Sequence, residues 1–373
     1  MLPLLAGLGP WWTAALSLVV AALLPAALMP LLGLGRRGSR LGGGTHVLIT
    51  GGSKGLGLEL GRLCAARGCS VTLVARNQKD LDAALLELQA AAATAAGRGR
   101  RGSSSGDGAG STTPTPKLQA LSADTADPAK LRAVVEQAEQ AAGPIEVLIC
   151  NAGLSVPGLF IEQDPEVFEH QMRVNYLGTV NTVQAVLPGM LRQRRGRVVV
   201  VTSGLAILGF AGYCSYAPTK WALRGLADCL RNELLGTGVE VSIAYPPDMD
   251  TPGYAIEMET KPELCNAVNK AMGNEVFPPD KVARCLLGGI ERGAYHLPTP
   301  DLGLNMLVAS MTSLSPKRFF LPFQVLLGPI LPLASALFGW IADRTARKHN
   351  KAHGMPPRAG TAAGGEGDGA TAK

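Results

Sequence analysis

The sequence predicts a doubly wound α/β domain, a parallel sheet covered on both faces by helices. Three observations predict it. Short runs rich in β-branched residues recur through the middle of the chain, they are apolar along their whole length, and stretches of helical period separate them. The runs are His46–Thr50, Ser70–Ala75, Ile145–Cys150, Arg197–Thr202 and Val239–Ala244. After Pro128, the residues Leu131, Val134, Val135 and Ala138 fall on one helical face, as a helix packed on a sheet requires. The domain expected on this basis spans residues 45–300. Residues 91–117 break the rhythm: alanines give way to Gly, Ser, Arg and Thr-Pro-Thr-Pro, a pattern that predicts a flexible insertion between a helix and the next strand.

Composition bounds the rest. Of 373 residues, 47% are hydrophobic and 17% charged, below the roughly 25% charged of a soluble domain. That excludes global disorder, and the absence of a heptad or Gly-X-Y repeat excludes a coiled coil or collagen. The seven cysteines are odd in number and never spaced C-x-x-C, which argues for reduced thiols in a cytosol-facing domain. Three of the 35 basic residues fall in 1–40 and six in 343–373, as do three of the 29 acidic ones in the latter stretch, so residues 41–342 carry 26 of each. A neutral body argues against nucleic acid as a partner. The five histidines form no ligand-spaced cluster with cysteines or acids, so no metal site is expected.

The excess charge and the excess hydropathy both belong to the ends. Residues 1–35 hold no charged side chain and are followed by Arg36, Arg37 and Arg40. This predicts an uncleaved N-terminal membrane anchor with the arginine side, and the body behind it, in the cytosol. A second apolar region, 302–342, is interrupted by Lys317 and Arg318 and carries Pro322, Pro329 and Pro332. A hairpin, a single span, an interfacial element and a core helix or lid over an apolar pocket all remain open there, and a membrane-associated region is the favoured one. The basic tail, 343–373, is expected to be disordered beside an anionic bilayer.

The chemistry begins where the first strand ends. Thr50 leads into Gly51-Gly52-Ser53-Lys54-Gly55-Leu56-Gly57, and a helix through Leu60 and Leu63 follows. Positions without a Cβ let the backbone turn sharply and approach a pyrophosphate, which then sits on the free N–H groups of the helix N-terminus. The second strand ends in Ala75-Arg76, where a dinucleotide fold usually offers an acid to the adenosine ribose. With Arg76 there and Lys54 in the loop, a 2′-phosphate would meet cations, so NADPH is expected over NADH. Arg76 opening a helix near Asp80 is the structural alternative.

Ser203 is followed thirteen residues on by Tyr216 and four further by Lys220. Tyr216 and Lys220 share one helical face, so an ammonium can sit beneath a phenol and draw its pKa down from about 10. Ser203, at a strand end, can donate to a substrate carbonyl. Tyr213 has Ala217 at the equivalent offset and is the poorer acid.

Together, Thr50-Gly51-x-x-x-Gly55-x-Gly57, Asn151-Ala152-Gly153, Asn175, Ser203 and Tyr216-x-x-x-Lys220 resemble the short-chain dehydrogenase/reductases, a Rossmann-type family, over roughly residues 45–295. The resemblance implies that Asn151, Ala152 and Gly153 close the fourth strand on the adenine side, that Asp124 hydrogen-bonds the adenine, and that Asn175 holds a water relaying protons to Lys220. Tyr245-Pro246-Pro247-Asp248-Met249-Asp250-Thr251-Pro252-Gly253, Val74-Ala75-Arg76-Asn77 and Leu223-Arg224-Gly225-Leu226-Ala227 narrow it further. They resemble the branch of the family that reduces 3-ketodihydrosphingosine, a long-chain lipid ketone, at the endoplasmic reticulum membrane. That branch implies the bilayer as a partner, the catalytic domain on the cytosolic side, and Pro246 beside the nicotinamide. Two alternatives stay open: a membrane-bound reductase of steroid or retinoid ketones, which would share every catalytic residue, and a catalytically silent membrane scaffold. A homo-oligomer is also open. The resemblance is imperfect at 91–117, at Cys150, and at Pro218, which puts the start of the Tyr216–Lys220 helix in question.

Overall fold

The computed structural model describes residues 41–102, 116–273, 275–310 and 331–353. Seven parallel strands form one sheet: β1 (His46–Thr50), β2 (Ser70–Ala75), β3 (Leu118–Ser122), β4 (Val147–Cys150), β5 (Gly196–Val201), β6 (Val239–Ala244) and β7 (His296–Leu297), in the order β3-β2-β1-β4-β5-β6-β7. The order reverses direction between β1 and β4, which opens a crevice at the C-terminal strand ends, the place where such sheets bind ligands. Thr50, opposite Val74 on one side and Cys150 on the other, stands at that crevice.

Helices cover both faces. On one lie α1 (Gly55–Ala66), α2 (Gln78–Gly102) and, further along the chain, α9 (Pro279–Glu291). On the other lie α3 (Pro128–Ala142), α5 (Gly178–Gln193) and α6 (Ala217–Glu233). A short α4 (Pro165–Gln171) leads through one wide turn, Met172–Leu177, into α5. The alternation of strand side chains builds both cores. In β1, Val47 and Ile49 join the cluster of Leu60, Leu88 and Leu286, while Leu48 joins that of Leu131, Val186 and Leu223. In α3 the buried residues are Leu131, Val134, Val135 and Ala138, as the periodicity requires, and Asp127 caps the helix by accepting from the N–H groups of Ala129 and Lys130.

Two strands escape the sequence signal. β3 is Leu-Gln-Ala-Leu-Ser, with no β-branched residue, and β7 has two residues; each is held as a strand by its neighbour in the sheet. Helix α2 runs on to Gly102, so the first part of the 91–117 segment is helical and not a loop. Six alanines in Ala90–Ala96 supply the best helix propensity available, which needs no apolar face. Residues 103–115 lie outside the described residues, as do the whole of 1–35 and the tail beyond His353.

The C-terminal region divides. Helix α10 (Leu302–Ser310) buries Leu304, Val308 and Ala309 in the domain core, and Asp301 accepts from the Leu304 N–H at its start. The globular body therefore extends to Ser310, ten residues past the expected boundary. Residues 311–330 lie outside the described residues. Beyond α7 (Pro252–Thr260) and α8 (Glu263–Met272), a last helix α11 (Leu331–His353) runs against α8. It carries the first residues of the expected disordered tail in helical form, aided by alanine and basic helix formers and an Asp343–Arg347 pair at 3.2 Å. Among the described residues no helix is long and apolar enough to cross a membrane.

Candidate active site

One cavity of about 540 Å³ opens along the C-terminal ends of β1, β2, β4, β5 and β6. Its phosphate end is built from backbone. Gly51 has a φ of +64°, and a Cβ there would meet the Cα of Ala152 at 2.8 Å. At Gly57 a Cβ would come within 2.3 Å of the Gly51 carbonyl oxygen, so α1 packs against the turn only because this residue has no side chain. Helix α1 starts at Gly55 with no side chain capping it, which leaves its first N–H groups directed at the crevice beside Ser53 and Leu56. Asn151 donates its side-chain amide to the Gly51 carbonyl, and the Thr50 hydroxyl accepts from the N–H groups of Asn151 and Ala152, fastening β4 to the glycine turn. An unfilled glycine cradle beside uncapped helix N–H groups fits the pyrophosphate of a nicotinamide dinucleotide.

At the adenosine end, Arg76, Asp124 and Thr125 line the cavity. Arg76 is exposed and forms no ion pair among the described residues. Lys54 differs from expectation: its ammonium lies 2.7 Å from the carboxylate of Asp80, so it is not a second free cation. A helix-opening acid four residues after Arg76 captures it. The Asp124 carboxylate accepts from the Ala126 N–H at 2.9 Å, which fixes its turn.

The ketone end is built from side chains. Ser203 lies just past the end of β5, where its hydroxyl accepts from the Leu205 N–H at 3.2 Å, and it lines the cavity with Tyr216. Tyr216 is the residue at which α6 starts, with Pro218 in the first turn, where proline costs nothing. The helix thus begins in time to place the Lys220 ammonium 5.6 Å from the centre of the Tyr216 ring. Lys220 is buried and donates to the Val201 carbonyl at 3.4 Å. Gly153 lets both partners come close: a Cβ there would lie 3.2 Å from Asn175 Oδ1 and 3.3 Å from Lys220 Nζ.

Asn175 sits fully buried in the wide turn before α5. Its side-chain oxygen accepts from the Leu154 N–H, and its amide donates to the Leu154 carbonyl and the Thr219 hydroxyl. It therefore ties the loop after β4 to the Tyr216–Lys220 turn. Pro246 is buried and its carbonyl accepts from the Gly204 N–H, placing the 246–253 loop over the end of β5. Cys150, packed in the core under the site, has its thiol pushed up to about 12 by burial and is inert.

Electrostatics at this end run against the sequence expectation. Burial lowers Lys220 to about 8, and burial, with Glu257 and Asp248 nearby, raises the Tyr216 phenol above its ordinary value against the opposing influence of the Ser203 hydroxyl. Burial is the largest cause at both groups, and Lys220 is not among the groups that shift the phenol. A neutral Tyr216 is nonetheless the form needed to donate a proton.

The sequence did not single out Glu257, Lys261 or Ser155. Glu257, on α7, accepts a 2.6 Å hydrogen bond from Tyr213, whose ring lies 6.0 Å from that of Tyr216. Tyr213 is thus occupied with Glu257, in keeping with its rejection as the acid. No spacing signal could have found Glu257 and Lys261, since α7 joins the site only through the turn of the 246–253 loop.

Residues 45–99 and 109–261 match the family model for short chain dehydrogenase. The chain belongs to the short-chain dehydrogenase family. It is 34% identical over 276 residues to the 3-dehydrosphinganine reductase of Danio rerio, covering 73% of this chain and 76% of that protein. To the 3-ketodihydrosphingosine reductase of Dictyostelium discoideum it is 32% identical over 324 residues, covering 86% and 92%. The crystal structure of levodione reductase superposes with a TM-score of 0.59 at 22% identity, over 71% of this chain and 99% of that one, a likeness of fold.

Proposed function

We propose that this enzyme reduces 3-ketosphinganine to sphinganine with NADPH. The observation that carries the proposal is the similarity, along most of the chain, to relatives named for that reaction, in a molecule whose cavity brings Ser203, Tyr216 and Lys220 beside a dinucleotide cradle.

The nicotinamide cofactor supplies the hydride when bound. Gly51, Gly55, Gly57 and the first N–H groups of α1 would hold its pyrophosphate, with Asn151, Ala152 and Gly153 lining the cavity beside them and the Asn151 amide bracing the Gly51 turn. Ser203 donates to the 3-keto oxygen and fixes the carbonyl against Tyr216. The Tyr216 phenol gives its proton to the oxygen as negative charge develops there, a step favoured by a phenol that burial keeps neutral. Lys220 holds the phenol's other side and can return a proton from the Gly153–Asn175 side of the site. Leu154, Leu205 and Ile256 offer the acyl chain an apolar wall.

The preference for NADPH rests on Arg76, which meets the 2′-phosphate position without an acid at the end of β2. We place the enzyme at the endoplasmic reticulum membrane with its catalytic domain toward the cytosol; the charge-free run 1–35 followed by three arginines supports this. The test is a membrane fraction assayed with 3-ketosphinganine and either NADPH or NADH. Turnover with NADPH in excess of NADH is expected. Turnover of steroid or retinoid ketones but not of 3-ketosphinganine would overturn the assignment, and consumption of no ketone with either cofactor would favour a silent scaffold.

A further inference from the structure

Resting on that functional assignment, we propose that Glu257 and Asp248 form a subsite for the protonated C2 amine of the substrate, making the enzyme selective for 2-amino-3-ketones over plain long-chain ketones. Both residues line the cavity with Tyr213, Tyr216 and Ser203. Glu257 is joined to Tyr213 at 2.6 Å, and Tyr213 is the ring neighbour of the catalytic phenol. In 3-ketosphinganine the amine is on the carbon next to the carbonyl, so a substrate whose ketone meets Tyr216 must set its nitrogen within a side chain's length of that point.

Charge makes the same case. A ketone reductase builds negative charge on the substrate oxygen, and carboxylates beside the acid oppose it; here Glu257 and Asp248 both act on Tyr216 in the unfavourable sense. Such an arrangement is sustainable where the substrate carries its own cation. An amine beside a carbonyl is protonated below roughly pH 8, as an α-amino group is, so 3-ketosphinganine brings that cation at neutral pH.

A second observation is independent of the acids. The Lys261 side chain is fully buried, with its ammonium 4.0 Å from Glu257 and 5.5–5.6 Å from the ring centres of Tyr213 and Tyr254, both of which line the cavity. That ammonium has no hydrogen-bond acceptor. A buried polar group left unmade is costly; Ser155, which lines the cavity, likewise has a buried hydroxyl without a hydrogen-bond partner, and the substrate's C1 hydroxyl, one carbon from the amine, is a group of suitable reach for it. Burial is the largest influence on the Glu257 carboxyl and holds its pKa above the ordinary value; Asp248 adds to the rise, while the Tyr213 hydrogen bond and the Lys261 ammonium oppose it. The groups facing Glu257 are then Tyr213, Ser155, Lys261, Asp248, Tyr254 and Cys265.

The test compares kcat/KM with NADPH for 3-ketosphinganine and for the 1-hydroxy-3-ketone of equal chain length that lacks the amine. Wild type should favour the amine by about tenfold or more, and the ratio should shrink as pH rises past roughly 8 and the amine loses its proton. Glu257→Gln, which keeps an acceptor for Tyr213, and Asp248→Asn should each cut the ratio by about tenfold. NADPH fluorescence titration certifies each variant as folded; should Glu257→Gln fail it, Asp248→Asn decides. Equal use of both ketones by wild type, or a ratio unmoved by the folded variants, overturns the subsite and leaves the reductase assignment intact. Consumption of neither ketone overturns the assignment itself.

Discussion

At the phosphate end of the cavity the contacts are made by backbone and by missing side chains; at the ketone end they are made by side chains brought from three distant segments. Gly51, Gly55 and Gly57 lie within seven residues, and their geometry follows from the strand before them and the helix after them. Ser203, Tyr216, Lys220 and Asn175 span the end of β5, α6 and the turn before α5, and neighbours aim them: Asn175 by Leu154 and Thr219, Lys220 by the Val201 carbonyl, Ser203 by the Leu205 N–H. The first end binds whatever carries a pyrophosphate, while the second decides what is reduced. They should therefore fail separately when mutated.

The largest separation is expected from Tyr216→Phe. Removing the hydroxyl takes away the proton donor and leaves the glycine cradle untouched. Turnover of 3-ketosphinganine should fall by about 10²–10⁴-fold, the range for a positioned general acid, with NADPH affinity unchanged within about threefold. Stopped-flow turnover and fluorescence titration measure the two quantities. A loss of less than tenfold would show that another group, with Tyr213 the nearest candidate, protonates the alkoxide.

Lys220 gives the next effect, and it is one of stability. Burial lowers its pKa to about 8 from an unfolded value of 10.5, so the folded chain gives up this proton before the unfolded chain does. The unfolded state then binds more protons between those values, and stability rises with pH across about 8 to 10.5. Below about pH 8 the cost of the buried ammonium is present in full, roughly 3 kcal/mol. Lys220→Met should accordingly be more stable than wild type at pH 7 in the absence of cofactor, inactive at any pH, and should lose its advantage by pH 10. Urea denaturation at both pH values measures this, and a stability gap independent of pH would show that Lys220 is not held in its shifted state.

The two ends were unequally legible in the sequence. The glycine turn is local, so strand, turn and helix signals in one stretch sufficed to place it, and the α/β alternation fixed the crevice it faces. Tyr216 and Lys220 were legible for the same reason, being one helical turn apart. What escaped depends on tertiary approach. Lys54 reads as a free cation in the sequence because its partner Asp80 reaches it only once α2 folds back, and the direction of the Tyr216 shift is not legible there because desolvation has no sequence signature. Glu257 and Lys261, one turn apart on an unremarkable helix and its end, become a site only when the 246–253 loop lays α7 over β5. Leu304 and Val308 read as part of the membrane-associated region because an apolar run looks the same whether lipid or protein covers it.

Gly57→Ala tests the backbone-built end. The added Cβ would stand 2.3 Å from the Gly51 oxygen and 2.6 Å from Asn151 Nδ2, so strand turn and helix must move apart. About 1–3 kcal/mol of stability should be lost. NADPH affinity should drop by about tenfold or more, because the N–H groups no longer converge. Thermal melts and cofactor titration separate the two losses. The kcat at saturating cofactor should fall far less than in Tyr216→Phe; an equal fall would mean that the two ends are mechanically one unit.

The smallest effect belongs to Arg76, where the backbone-built end acquires its one discriminating side chain. The guanidinium is exposed and water-screened, so its attraction for a 2′-phosphate is modest, about 1 kcal/mol. Lys54 contributes little while Asp80 holds it at 2.7 Å, but Asp80→Asn would release that ammonium toward the same phosphate. Arg76→Ala should therefore lower the NADPH-to-NADH ratio of kcat/KM by roughly five- to tenfold. Asp80→Asn should raise the ratio, and both changes should shrink in high salt as exposed charges are screened. A ratio that survives Arg76→Ala but collapses when Lys54→Ala is introduced would transfer the discrimination to the paired lysine, with the Asp80 ion pair opening whenever the phosphate arrives.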